Sequence, residues 1–65
     1  MTLKQLERLL AGDKVGIKNG RISLDGDWFV VEEKVEFIVE GKVDYRFITV
    51  DGFENLESAL KRLEA

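Results

Sequence analysis

Residues 15–31 read Val15-Gly16-Ile17-Lys18-Asn19-Gly20-Arg21-Ile22-Ser23-Leu24-Asp25-Gly26-Asp27-Trp28-Phe29-Val30-Val31, and this stretch decides the fold. Asn19-Gly20 suits a type I′ turn, because both residue types tolerate positive φ. Folding about it sets Ile17 opposite Ile22 and Val15 opposite Leu24, so turn chemistry and hydrophobic pattern demand one register. Asp25-Gly26 is a second turn signal of the same kind. An antiparallel meander therefore lies at the centre of the chain.

Moving toward the C-terminus, alternation keeps one phase for a long way. Phe29, Val31, Val35, Phe37 and Val39 share a parity that only Glu33 breaks. Trp28, Val30, Glu32, Lys34, Glu36, Ile38 and Glu40 share the other. The unbroken phase predicts one long bent strand, with a turn at Glu32-Glu33-Lys34 as the alternative. Glu40-Gly41-Lys42 then reverses the chain. A three-residue loop there places Val39 opposite Val43 and Phe37 opposite Tyr45, and the last strand runs to about Val50.

The flanks read as helices. Thr2 and Gln5 form a capping box ahead of Leu3, Leu6, Leu9 and Leu10, and Gly12 suits the helix end, so a first helix is expected from Thr2 to Ala11. Asp51 and Glu54 form a second capping-box pattern before the stripe Leu56, Ala59, Leu60, Leu63. Lys61 and Arg62 sit where the dipole of this second helix favours cations. The fold class is α+β: an N-terminal helix, an antiparallel meander of four or five strands, and a C-terminal helix, in one domain spanning 1–65. Both helices are expected on the face lined by Ile17, Ile22, Phe29, Val31, Phe37, Tyr45 and Phe47. The alternative is a small curled β-barrel with flanking helices.

A chain of 65 residues buries only about 60% of its unfolded surface. With no Cys and no His it has neither disulfides nor ordinary zinc ligands to compensate. The remaining routes to stability are good local structure, dense packing and self-association. No apolar run approaches the roughly 20 residues that span a bilayer, and the start lacks a signal-peptide core, so the expected compartment is the cytoplasm. Abundant Lys, Glu and Val with scarce Asn and Gln leans toward a thermostable protein.

The same absences remove the Ser-His-Asp triad and the thiol nucleophile, and so short a chain is poorly able to enclose a substrate pocket. No catalytic residue, metal ligand or cofactor is assigned, and the chain is expected not to be an enzyme. An enzyme subunit whose site forms only on assembly has no residue in its favour. Asp25-Gly26-Asp27 looks like the start of a calcium loop, yet the twelfth residue, Glu36, falls in a strand-like run, and the turn reading prevails.

The second face of the sheet is more informative. Trp28, Val30 and Ile38 on the long strand, with Ile48 and Val50 on the last, are expected to form an apolar patch rimmed by charges that include Arg46. Exposed patches of this kind mark interaction surfaces, and Trp and Arg are typical anchors. The expected function is therefore a non-catalytic protein–protein interaction module, with a second copy or another protein as partner. The alternative is a small nucleic-acid-binding accessory protein using Lys14, Lys18, Arg21 and Lys42 beside Trp28 or Tyr45. Against it stands the formal net charge of −3, since carboxylates interleaved on the same strands repel phosphate. Residues 1–24 hold five basic and two acidic residues and the rest of the chain five and eleven, a split that suits orienting a partner.

The opening helix followed by Gly12-Asp13-Lys14-Val15-Gly16-Ile17-Lys18-Asn19-Gly20 resembles the start of Sm-like proteins, which also lead from a short helix into a strand and a Lys-Asn-Gly turn. The likeness covers less than a third of the chain. The C-terminal helix departs from that pattern, and no membership is drawn from it.

Overall fold

The computed structural model describes residues 1–64. Six elements follow one another: α1 (Leu3–Leu10), β1 (Val15–Ile17), β2 (Gly20–Asp25), β3 (Trp28–Val39), β4 (Lys42–Phe53) and α2 (Leu56–Glu64). The four strands form one antiparallel meander in the order β1-β2-β3-β4, open rather than closed into a barrel.

Helix α1 starts where the capping box places it. The Gln5 amide donates to Thr2 Oγ1 at 3.1 Å and the Thr2 amide donates to Gln5 Oε1 at 2.8 Å. Gly12, at φ +97°, follows the C-cap Ala11 and turns the chain into β1. Helix α2 is capped differently from expectation. Strand β4 continues through Asp51 and Gly52 to Phe53, and Asn55 is the cap, accepting from the Ser58 amide at 2.8 Å. Asp51 instead accepts from the Gly52 amide. The ladder of β4 with β3 holds Asp51-Gly52-Phe53 extended, and that pairing overrides the local helix-start signal.

Both helices pack on one face. Leu9 from α1 and Ala59 and Leu63 from α2 share a single cluster with Val15, Ile22 and Val31. Ile17, Leu24, Phe29, Val50, Phe53 and Leu56 close it at the edges. The opposite face carries no helix among the described residues.

The first hairpin differs from the expected register by two residues. Ile17 lies opposite Gly20 and Val15 opposite Ile22, so Lys18-Asn19 form the loop, with Lys18 at φ +52°. The cause is tertiary. A Cβ on Gly20 would stand 2.5 Å from both the Glu32 carbonyl oxygen and Leu63 Cδ2. Gly20 is therefore used where α2 approaches the sheet, not in the turn. A shift of two preserves parity, and Val15, Ile17 and Ile22 still face the core.

The second hairpin closes with Asp25 opposite Trp28, leaving Gly26-Asp27 as its loop. Strand β3 is then the single long strand that the alternation predicts. The third hairpin also departs from expectation. Glu40 and Gly41 both have positive φ, +52° and +78°, and make a two-residue loop rather than one of three. Ile38 therefore faces Val43, Glu36 faces Tyr45 and Phe37 faces Asp44. This one-residue difference moves Tyr45 and Phe47 off the core face. A bulge near Val31/Glu32 leaves Val50 unpaired and returns Phe53 to the core side.

Candidate functional site

Strand β2 ends its pairing with β3 at Glu33, opposite Gly20. Beyond that point β3 and β4 continue alone, so residues 35–46 form a two-stranded arm standing clear of both helices. At about 3.3 Å per residue it projects roughly 17 Å, and it accounts for the elongated envelope of 39 × 21 × 21 Å. Six large apolar side chains of the arm and its root are exposed: Phe37, Ile38, Val39, Val43, Tyr45 and Ile48. Ile38 and Val43, cross-strand neighbours at the tip, are 75% and 71% exposed. Surface of this kind costs solubility unless something covers it.

The open face at the root of the arm is organised around one buried charge. Glu32 is 7% exposed. Its carboxylate accepts two bonds from Arg21, at 3.2 Å from Nε and 3.0 Å from Nη2. Lys14 Nζ stands 3.3 Å from Oε1. The Arg21 hydrogen bonds hold the Glu32 carboxyl below its ordinary value of 4.5; burial opposes them and Lys14 assists. The Arg21 guanidinium also lies 4.0 Å from the Phe47 ring centroid, and Lys34 Nζ lies 4.2 Å from that of Tyr45. Tyr45 and Phe47 meet edge to face at 6.1 Å. Cations thus pin both rings to the open face.

The residues singled out in the sequence do not form one patch. Trp28 is half-exposed and Val30 half-buried on the open face, Trp28 lying near Gly52 at the far end from the arm tip. Ile38 is on the same face, out on the arm. Arg46 and Ile48 fall on the other phase, opposite Val35 and Glu33. Arg46 lies over the Phe37 ring at 5.9 Å, and Val50 packs against the core. The open face holds Val43, Tyr45 and Phe47 in their place. Reading Glu40-Gly41 as a positive-φ pair would have found them.

The four candidate phosphate-binding cations are likewise dispersed. Lys14 and Arg21 converge on Glu32, Lys42 is at the arm tip, and Lys18 sits at the first turn, its Nζ 3.4 Å from the Glu64 carbonyl oxygen. A shallow polar groove of about 350 Å³ lies beside Lys18, between Lys34 and the end of α2. Its charges are largely engaged, since Arg62 pairs with Glu33. Among the described residues no group of three or more acidic side chains is placed to hold a metal ion, and no helix is long and apolar enough to cross a membrane. No protein-family model matches the chain, and neither does any curated protein or solved structure.

Proposed function

We propose that this chain is a non-catalytic protein-interaction module that engages protein through the β3–β4 arm. The observation that supports this reading is the exposure of Ile38 and Val43, side by side on an arm that no helix covers. An arm of two strands has little stability of its own in water and gains most from added contacts. The root is tied to the sheet by contrast, through the Glu32–Arg21–Phe47 stack. A root held by these contacts places the apolar tip away from the core, where a partner can reach it. Nucleic acid has less support, because two of the four candidate cations already neutralise a carboxylate.

A photo-crosslinking side chain at position 38 tests this, with position 57 on the outer face of α2 as control. In an extract of the source cells, adducts to protein are expected from position 38 and not from position 57. Equal capture from both positions, or none from position 38, contradicts the proposal.

A further inference from the structure

We infer that the partner is a second copy of the chain, paired antiparallel along the outer edge of β4 about Tyr45, so that two four-stranded sheets become one of eight. This rests on the reading that the arm binds protein.

Strand β4 is the last strand of the sheet, and its outer edge has no neighbour among the described residues. In an antiparallel ladder closed by a two-residue loop, the pair flanking the loop exchanges hydrogen bonds, and every second pair after it does the same. Lys42, Asp44, Arg46 and Ile48 therefore bond inward to β3. The backbone groups of Val43, Tyr45 and Phe47 point outward. The Tyr45 amide accordingly donates to the carboxylate of its own neighbour, Asp44 Oδ1, at 2.7 Å. Long edges without such a neighbour invite pairing with another chain.

Charge selects the register. A twofold axis normal to the sheet places residues of equal parity opposite one another. Centred on Tyr45, it sets Val43 against Phe47 of the second copy and Asp44 against Arg46 of the second copy, each twice. The three outward-pointing residues then exchange hydrogen bonds in full. Centring on Asp44 or on Arg46 puts like charges face to face. Centring on Val43 keeps an ion pair, Asp44 with Lys42, but overlaps the strands only over residues 42–44. Centring on Phe47 loses the ion pairs and runs into the bulge at Val50. In the Tyr45 register, the Asp44 carboxylate releases the Tyr45 amide to the new ladder and turns to Arg46 of the second copy.

The surface area agrees. The chain exposes 4811 Å², where a compact monomer of its mass exposes about 4,200 Å². The excess is of the order of the roughly 800 Å² that each partner contributes to a stable interface. The radius of gyration, 12.8 Å, likewise exceeds the roughly 10.7 Å of a compact chain of this length.

The test is light scattering and sedimentation equilibrium on the purified full chain, from low micromolar to millimolar concentration, with circular dichroism to confirm the fold of each variant. Wild type is expected to give twice the chain mass. Asp44→Arg and Arg46→Asp should each weaken dimerisation at least about tenfold, because each places like charges opposite one another. The double variant Asp44→Arg/Arg46→Asp should recover most of the affinity, since its swapped charges pair again. A monomer at every concentration overturns the proposal, as does a double variant no better than the worse single one. If wild type is monomeric yet position 38 captures a different protein, the second copy is wrong and the arm reading survives. If position 38 also captures nothing, both fall.

Discussion

Glu32 and Gly20 carry most of what single residues decide here. Glu32 sits buried beneath two cations, so removing its charge leaves Arg21 without its partner. Glu32→Gln should cost about 2 kcal/mol at neutral pH, measured by urea unfolding. Its pH dependence has a definite sign. The folded carboxyl titrates below its ordinary value of 4.5, so its contribution is complete above that value and is lost as pH falls through the lower, folded one. The gap between wild type and Glu32→Gln should therefore be constant from neutral pH down to about 5 and close in stronger acid. Gly20→Ala should destabilise by about 2 kcal/mol or more, since one of the two atoms in its way is backbone. Adding Leu63→Ala relieves only the side-chain clash, so the double variant should not regain wild-type stability in the same assay. Neither role could be read from the sequence. Gly20 follows an Asn and presents itself as a turn residue, and only the approach of Leu63, 43 positions away, assigns it elsewhere.

Among the elements, the helices and the long strand were legible because each is specified by a repeated local pattern. Thr2 and Gln5 form both bonds of their box, and the parity of Phe29 to Val39 gives one continuous strand. Register was not legible to the same degree, since a loop one residue shorter or longer is an equally ordinary turn. That single residue at Glu40-Gly41 exchanges the partners of the whole arm, which is why Tyr45 and Phe47 were expected inward and lie on the open face. Of the expected patch, Trp28, Val30 and Ile38 keep the open face because β3 runs as one continuous strand without a change of phase. Arg46, Ile48 and Val50 leave it because the loop and the bulge each shift β4. The start of α2 offers a direct check. Asn55→Ala should cost about 1 kcal/mol in thermal or urea unfolding. Asp51→Ala should cost appreciably less, because Asp51 caps only the Gly52 amide within the strand.

At the scale of the whole molecule, one face of the sheet holds both helices while the sheet itself runs on past them. Among the described residues, six fully or nearly buried apolar side chains make a small core, and the arm adds surface without adding to it. Val43→Glu should therefore leave stability within about 0.5 kcal/mol of wild type while reducing association, read by denaturation and light scattering on the same samples. Backbone amide exchange, followed residue by residue by NMR at low and at high protein concentration, tests the role of the arm most directly. Ile22 and Val31, in the core, should exchange slowly at both. The outward-pointing amides of Val43, Tyr45 and Phe47 should exchange rapidly when dilute and become protected when concentrated. Rapid exchange of those three at every concentration, with the core equally slow throughout, would show that nothing pairs with the edge of β4 and would contradict association of the chain with itself through the arm.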